Sequence, residues 1–308
     1  MKVFYSDLDN TLIYSYKHEI GERRKCVEVY QGREISFMTE FTWRALKTLM
    51  EKLLFVPVTT RTLEQYQRIQ LGISMPSYAL VCNGGILLKD GEPDRCWYEE
   101  SLRRIQEART ELELGMELLR ADEKVCFEVR FVEKLFVFTK SAKPQETAER
   151  LRERLNLKLV NVFCNHKKVY VVPRGLEKGT AVRRLQEILD CKEAIAAGDS
   201  LFDLSMMDVV NVGFAPLDLR EEAGCVKNVR RCILRFTNGE VNRRKIGIEE
   251  YIEKEFGSLF EKSELLFTVQ RCCGNTRREQ LLDSQLYFKF FDCETVYQVD
   301  DYCEKQHS

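Results

Sequence analysis

Short apolar runs alternate with amphipathic stretches in two parts of this chain, at residues 3–82 and 178–214. The runs at 3–5, 53–58 and 78–82 predict buried strands, and helical spacing predicts helices at 39–52 and 63–71. Strands that alternate with helices are typical of a parallel, doubly wound sheet. We therefore predict an α/β fold with a Rossmann-like core.

The pattern changes between residues 86 and 173. It predicts a long helix at 99–120, strands at 125–131 and 135–139, a helix at 144–155, and strands at 158–163 and 168–172. The order α-β-β-α-β-β predicts an antiparallel sheet backed by two helices, inserted as a separate α+β domain. Gly84-Gly85 and residues 173–175 are the expected hinges.

The parallel pattern then resumes with a helix at 178–189 and strands at 194–197 and 209–214, followed by a helix at 218–223, a strand at 231–236 and a helix after 246. We expect a discontinuous core domain at 1–85 and 174–257, an inserted domain at 86–173, and a C-terminal extension of unknown role at 258–308.

A further pair of alternating runs, at 26–30 and 33–37, flanks Gln31-Gly32 and predicts a β-hairpin. The hairpin is either a flap over a site at the end of the first strand or an ordinary surface hairpin.

Composition excludes several classes of protein. The net charge of −1 favours neither nucleic acid nor an anionic membrane as partner, and no apolar run reaches the roughly 20 residues of a membrane span. The N-terminus has no signal-peptide pattern. Twelve cysteines without a CxxC spacing, with three histidines, argue against zinc and predict free thiols in a reducing cytoplasm. The sequence leaves the oligomeric state open.

The most informative polar residues are Asp7 and Asp9, which follow the first predicted strand. Two carboxylates at a strand end can share a crevice, where Asp7 attacks an electrophile and Asp9 moves a proton. The alternative is an acidic turn. Two buried acids raise each other's pKa values, because it is costly to bury two negative charges together. A divalent cation between the acids and a phosphate would remove that cost.

Other polar residues follow strands of the same predicted sheet, and parallel strands bind ligands at their carboxyl ends. Thr59 would donate a hydrogen bond to a phosphoryl oxygen, with Thr60, Arg61 and Asn83 as further substrate-binding candidates. Lys178, at the start of a predicted helix, would neutralise charge on the phosphoryl group and on Asp7.

Asp199 and Asp203 flank a predicted strand-to-helix turn at spacing i, i+4. Their carboxylates suit Mg²⁺, which prefers one or two carboxylates together with phosphate and water.

Five segments together resemble the haloacid dehalogenase (HAD) superfamily of phosphohydrolases: DLDNTL at 7–12, VTTRT at 58–62, CNGG at 82–85, RGLEKGTAVRRL at 174–185 and GDSLFDLSMM at 198–207. The inserted unit resembles the C2-type cap of Cof-type and sucrose-phosphatase-like members. The resemblance covers about residues 1–250.

The resemblance implies that Asp7 is the nucleophile, Asp9 the acid/base, and Thr59 and Lys178 phosphate ligands. It also implies Mg²⁺ bound by Asp7, the backbone carbonyl of Asp9 and Asp199, with Asp203 in support. Two positions depart from the family pattern: Thr60 stands where glycine is usual, and Phe202 where Cof-type members usually have asparagine.

The function expected from this combination is a Mg²⁺-dependent phosphatase of a small phosphorylated metabolite, such as a sugar phosphate, acting through an aspartyl-phosphate. The alternatives are a phosphomutase that uses the same intermediate and a non-catalytic phosphate-binding module.

In the inserted domain, Glu128 and Arg130 either face the site, where Arg130 would pair with a second anionic group, or lie on a solvated sheet face.

Overall fold

The computed structural model describes residues 1–215 and two short strands at 236–237 and 240–241. The predicted helix at 218–223, most of the predicted strand at 231–236 and all residues after 246 lie outside the described residues. Within the described part of the chain, no helix is long and apolar enough to cross a bilayer.

The elements of the first half are, in chain order, β1 (Lys2–Ser6), β2 (Tyr14–Ser15), β3 (Arg24–Tyr30), β4 (Arg33–Thr39), α1 (Glu40–Met50), β5 (Leu54–Pro57), α2 (Leu63–Gln67), β6 (Tyr78–Val81), β7 (Ile86–Lys89), β8 (Glu92–Pro93), α3 (Arg95–Arg104) and α4 (Arg109–Arg120). The remaining elements are β9 (Arg130–Val132), β10 (Phe136–Lys140), α5 (Pro144–Arg154), β11 (Val160–Asn165), β12 (Lys168–Pro173), α6 (Lys178–Leu189), β13 (Glu193–Ala197), α7 (Leu201–Met207), β14 (Val212–Phe214), β15 (Phe236–Thr237) and β16 (Glu240–Val241).

A parallel sheet in the order β14-β13-β1-β5 forms the centre of the core. Successive side chains of β1 point to opposite faces, as the pleat of a strand requires. Val3 and Tyr5 pack with residues of α6 and α7, whereas Phe4 packs with residues of α1. Helices therefore cover both faces, and the predicted doubly wound α/β core is confirmed.

The third predicted strand, β6, joins this sheet at one parallel bridge, between Val58 and Leu80. Otherwise it pairs antiparallel with β7, which the sequence reading did not assign to a strand. Leu87 of β7 and Trp97 of α3 lie in the same apolar cluster as Val3. The segment from β7 to α3 therefore packs on the core, and only the chain after it forms the inserted sheet.

The inserted unit, called the cap below, has a four-stranded antiparallel sheet in the order β11-β12-β10-β9. One face packs on α4 and α5 through an apolar cluster that includes Leu112, Leu151, Val137 and Val171. The α-β-β-α-β-β prediction is therefore confirmed. The opposite face of this sheet carries the aromatic side chains that are described with the site.

The predicted helix at 99–120 is wrong as one continuous element. Two helices meet at a short 3-10 turn, Gln106–Ala108, next to the buried Ile105. The chain changes direction there because Trp97 of α3 packs in the core cluster, whereas Leu112 of α4 packs on the cap sheet.

Three other predicted elements are shorter in the structure. Within the predicted strand at 125–131, the Thr139 hydroxyl donates to the carbonyls of Phe127 (2.8 Å) and Glu128 (3.2 Å), and regular pairing begins only at Arg130. The strand predicted at 209–214 begins at Val212, and the helix predicted at 63–71 ends at Gln67.

The predicted hairpin is confirmed. Strands β3 and β4 pair around Gln31-Gly32, both of which have positive φ, as tight hairpin turns require. Helix α1 follows β4 directly, and the Thr39 hydroxyl caps it by accepting a hydrogen bond from the Thr42 amide.

Close contact between α6 and α7 depends on Gly179. A Cβ atom placed there would collide with the Ser205 carbonyl oxygen. Overpacking typically costs about 1–3 kcal/mol, and backbone offers little room to adjust. We expect Gly179→Ala to lower the free energy of unfolding by at least about 2 kcal/mol in urea denaturation.

The matched control is Gly115→Ala in α4, where the nearest atom to an added Cβ would be 3.4 Å away, an ordinary contact. Alanine is the better helix former by up to about 1 kcal/mol, so this variant should be neutral or stabilised. Equal losses in the two variants would show that the contact with α7 does not limit position 179.

Candidate active site

The carboxyl ends of the parallel strands meet at one edge of the core sheet, where they bring the predicted polar residues together. The Asp7 amide donates to the Ala197 carbonyl of β13 (2.9 Å), which joins the ends of β1 and β13. The Thr59 amide donates to the Leu80 carbonyl of β6 (2.8 Å). Asp7 and Thr59 are both buried.

The centre of the site is the buried ammonium of Lys178. Its Nζ donates to Asp7 Oδ1 and to Asp203 Oδ1, each at 2.6 Å. Lys178 is the first residue of α6 and is 1% exposed. Burial alone would lower the pKa of this ammonium, but the charges of Asp203 and Asp7 outweigh burial and raise it. Lys178 is therefore held as a cation.

The loop after β13 positions the other two carboxylates. Asp203 Oδ2 accepts hydrogen bonds from the Asp199 amide (3.1 Å), the Ser200 amide (2.9 Å) and the Ser200 hydroxyl (2.8 Å). Together with Lys178, these donors occupy both oxygens of Asp203. Asp203 thus shapes the loop that carries Asp199, whose Oδ1 accepts from the Thr11 hydroxyl at 3.5 Å.

The carboxylates of Asp7, Asp199 and Asp203 each place an oxygen within 4.8 Å of the others. Three acidic oxygens this close suit a hard divalent cation such as Mg²⁺, which takes oxygen ligands. Asp203 already accepts four hydrogen bonds, which makes it the least accessible ligand of the three. The Asp9 carboxylate is not in this group. The contribution expected from Asp9 is its backbone carbonyl.

Burial raises the pKa of Asp7 well above its ordinary value. The Lys178 ammonium opposes this rise, whereas the neighbouring carboxylates, first that of Asp203, add to it. The site therefore concentrates negative charge that one ammonium does not balance. A cation or a proton is needed to complete it.

Asp9 is held by a different cation. Arg61 grips its carboxylate in a bidentate salt bridge, with Nε 2.7 Å from Oδ2 and the second guanidinium nitrogen 2.8 Å from Oδ1. Burial alone would raise the pKa of Asp9, but the hydrogen bonds and charge of Arg61 lower it overall. Asp7 and Asp9 are thus in opposite electrostatic environments although they are two residues apart.

Arg61 also binds Glu28 of the hairpin, at 2.9 Å from Oε2. The sequence reading missed Glu28. A single acidic residue in a hairpin does not stand out among 49, and only the fold brings it to Arg61.

Of the remaining predicted residues, Asn83 is buried in the left-handed region (φ 59°), and its side-chain amide donates to the Leu176 carbonyl at 2.7 Å. It thereby joins the loop after β6 to the chain before α6. Its Oδ1 is buried without a hydrogen-bond partner. Thr60 is half-buried at the turn between Thr59 and Arg61.

The cap contributes an aromatic face to the same region. Phe202, next to Asp203, packs on Phe163 (ring centroids 4.4 Å apart) and on Tyr170 (5.2 Å) of the cap sheet. Burial, followed by the charges of Asp9 and Asp7, raises the pKa of the Tyr170 hydroxyl. The cap sheet therefore contacts the core at Phe202, next to Asp203.

Basic residues flank this aromatic face. Lys168, two residues before Tyr170 on β12, also lowers the pKa of Asp9. Glu128 and Arg130 are exposed and paired with each other at 2.9 Å.

Comparison with known proteins gives a match to a family model over part of the chain and a likeness of fold to solved structures. The sequence matches the family model of haloacid dehalogenase-like hydrolases over residues 94–223. That range contains Lys178, Asp199 and Asp203, whereas Asp7 and Asp9 precede it. No curated protein matches the chain.

Solved structures with a similar fold include two that cover most of this chain. The sucrose-phosphatase from Synechocystis sp. PCC6803, solved with sucrose and phosphate, is 15% identical with a TM-score of 0.52, over 82% of this chain and 97% of that chain. A haloacid dehalogenase-like hydrolase from Bacteroides thetaiotaomicron is 17% identical with a TM-score of 0.49, over 83% of this chain and 99% of that chain. The first of these likenesses establishes the fold.

Proposed function

We propose that this chain is a Mg²⁺-dependent phosphatase of a small phosphorylated metabolite, a function in keeping with its match to the haloacid dehalogenase-like hydrolase family model over residues 94–223. One observation carries the proposal: a buried carboxylate, Asp7, lies 2.6 Å from a buried ammonium at the carboxyl edge of the sheet. Such a pair supplies a nucleophile and a cation for an anionic substrate, at a point where three carboxylates also converge.

In the first step, Asp7 attacks phosphorus. Lys178 binds Oδ1, so Oδ2 is the oxygen left to form the new O–P bond. The bond from phosphorus to the leaving oxygen breaks, and Asp9 gives a proton to that oxygen, which requires that Asp9 takes up this proton and releases one oxygen from the Arg61 fork when the substrate binds. The products of this step are the free alcohol and an aspartyl-phosphate on Asp7.

In the second step, water attacks the phosphorus of the aspartyl-phosphate. Asp9, now a carboxylate held by Arg61, takes a proton from this water. The Asp7–phosphorus bond breaks and releases inorganic phosphate, which restores the Asp7 carboxylate.

Thr59 and Lys178 stabilise the transferred group. The Thr59 hydroxyl accepts from the Arg61 amide (3.2 Å), which leaves its proton free to donate to a phosphoryl oxygen. Lys178 neutralises charge next to Asp7 throughout both steps. Mg²⁺ would be held by Asp7, Asp199 and the Asp9 carbonyl, and when bound it neutralises phosphoryl charge as a Lewis acid.

The cap offers a half-buried aromatic ring and a positive charge for the leaving group. Phe163 is half-buried against Phe202, whereas Tyr170 is buried against the same ring. Lys168 is exposed and adds positive charge near Asp9. A sugar phosphate, with polar hydroxyls and one apolar ring face, is the class of substrate that we propose for this surface. Cap contact also excludes bulk water from Asp7.

A screen for phosphate release tests the proposal. The purified full chain is assayed with Mg²⁺ against sugar phosphates, nucleotides and phosphorylated acids, beside Asp7→Asn. Release that requires Asp7 supports the phosphatase. Fast isomerisation of a sugar phosphate with slow hydrolysis would identify a phosphomutase instead. No turnover of any compound would favour a non-catalytic phosphate-binding module.

Metal dependence gives a separate prediction. Asp199→Asn removes one carboxylate from the group of three acids at the proposed metal site, and we expect the Mg²⁺ concentration for half-maximal activity to rise at least about tenfold. Calorimetric titration of Mg²⁺ into metal-free protein should show the same loss of affinity. The control is Asp208→Asn, an exposed residue at the end of α7. An unchanged midpoint in Asp199→Asn would remove Asp199 from the metal site.

A further inference from the structure

The hairpin of β3 and β4 has an irregularity at Glu28. Its pairing register shifts on both sides of this residue, between Cys26 and Glu28 and again between Glu28 and Val29. In a regular strand, successive side chains point to opposite faces. Here Val27 and Glu28 are consecutive and both only 2% exposed. Such bulges re-aim side chains and are common beside active sites.

The redirected Glu28 carboxylate is fully bonded inside the protein. Its Oε2 accepts from the Ser36 hydroxyl (2.6 Å) and from Arg61 (2.9 Å), and its Oε1 accepts from Arg68 (3.2 Å). A buried carboxylate is costly unless it is paired and hydrogen-bonded. Two arginines and a hydroxyl meet that condition, so Glu28 is held firmly in place.

The segment after α2, at residues 69 and 70, holds the bulge in place. The Val27 carbonyl accepts from the Gln70 amide at 2.7 Å, and Glu28 bridges Ile69. The segment after α2 therefore joins the hairpin to the loop that carries Arg61. Glu28 and Arg61 come from separate parts of the sequence but from one connected unit of the fold.

Arg61 transmits this anchoring to Asp9. Its guanidinium binds Asp9 through two nitrogens and Glu28 through the third. The Arg61 side chain is 13% exposed and that of Glu28 1%, whereas the Asp9 side chain is 47% exposed. The acid is thus the most exposed partner in this chain of contacts, and the two groups that hold it are buried.

We propose that Glu28 is a positioning residue for the acid/base Asp9, acting through Arg61. This inference rests on the proposed phosphatase function. Glu28 acts at a distance from the reacting atoms. Its effect is to fix the position of the Arg61 guanidinium, and therefore the position of the Asp9 side chain that exchanges a proton with the leaving oxygen. Small displacements of a catalytic group can cost on the order of 100-fold in rate.

The leaving group provides the readout. An alkyl phosphate ester expels a strongly basic alkoxide and needs the proton from Asp9, whereas p-nitrophenyl phosphate expels a weakly basic phenolate that needs little help. The parameter kcat/KM reports the steps up to the first phosphoryl transfer. A defect in the positioning of Asp9 therefore lowers kcat/KM selectively for alkyl esters.

The experiment measures kcat/KM of the full chain with Mg²⁺ for the best alkyl phosphate of the screen and for p-nitrophenyl phosphate. For Glu28→Gln we expect a fall of about 10- to 100-fold on the alkyl ester and less than about 3-fold on the aryl ester. Ser36→Ala keeps the charges of Glu28 and Arg61 and removes one hydrogen bond to Glu28. It should also lose kcat/KM selectively on the alkyl ester, by a smaller factor. Glu34→Gln, an exposed acid on the same hairpin, is the control and should match wild type.

Circular dichroism melts show whether a variant loses activity because it unfolds. If Glu28→Gln unfolds, the ester selectivity of Ser36→Ala decides whether the positioning role holds. Equal losses on both esters, or no loss on either, would overturn the positioning role while the phosphatase proposal stands. A wild-type chain that releases phosphate from neither ester would overturn both.

Discussion

Asp7→Asn is expected to reduce phosphate release by at least about 10⁴-fold, because the amide cannot form the aspartyl-phosphate. Knockouts of a covalent nucleophile commonly cost this much or more, since the chemistry is removed rather than weakened. The substitution keeps the shape of the side chain and still lets Lys178 donate to the Oδ1 position. The fold should therefore survive, and substrate binding should persist without turnover.

Two measurements check this expectation. The first is the initial rate of phosphate release, and the second is trapping of phosphate label on acid-quenched protein during turnover, which wild type should show and Asp7→Asn should not. Asp190→Asn is the matched control, since Asp190 is exposed and has the left-handed conformation that asparagine also tolerates. Turnover within about tenfold of wild type in Asp7→Asn would exclude Asp7 as nucleophile.

Lys178→Met is expected to produce the largest loss of stability together with loss of activity. Lys178 is the cation that lies between Asp7 and Asp203, at 2.6 Å from each. Methionine fills a similar volume but leaves two buried carboxylates without their ammonium. Removing one partner of a buried ion pair typically costs about 3–5 kcal/mol, because the remaining charge stays desolvated.

The free energy of unfolding is measured in urea with EDTA present, so that no divalent cation compensates for the lost ammonium. Lys192→Met, at an exposed lysine, is the control. The pKa of Asp7, which is already raised by burial, should rise further when Lys178 is absent. Asp7 would then take up a proton more readily, so Lys178→Met should lose least stability at acidic pH. A loss below about 1 kcal/mol would show that this ammonium is not needed to hold the carboxylates together.

Local sequence pattern was sufficient to predict most of the core. The strands at 3–5 and 53–58, the helix capped by Thr39 and the Gln31-Gly32 turn depend on neighbouring residues, and these predictions were confirmed. Strand-end reasoning also predicted which polar residues would meet. Parallel strands present their carboxyl ends at one edge, so Asp7, Thr59 and Asp199 converge whatever the loops between them do.

Predictions failed where packing against distant residues decided the outcome. The helix at 99–120 breaks near Ile105 because its two halves pack on different partners, and helical periodicity does not record a change of partner. The strand predicted at 125–131 begins late because the carbonyls of residues 127 and 128 accept from the Thr139 hydroxyl. This contact joins residues 11 to 12 positions apart.

Sequence by itself determined which polar groups this protein carries and the sheet edge at which they gather: two acids after the first strand, a lysine at the start of a helix, and a second pair of acids at a strand-to-helix turn. Only the tertiary structure decided how they are paired. Lys178 holds Asp7 and Asp203, while Arg61 holds Asp9 and is itself anchored by Glu28. The physical reason is that burial makes each charge depend on the nearest opposite charge in space, and those neighbours lie 25 to 171 residues apart along the chain.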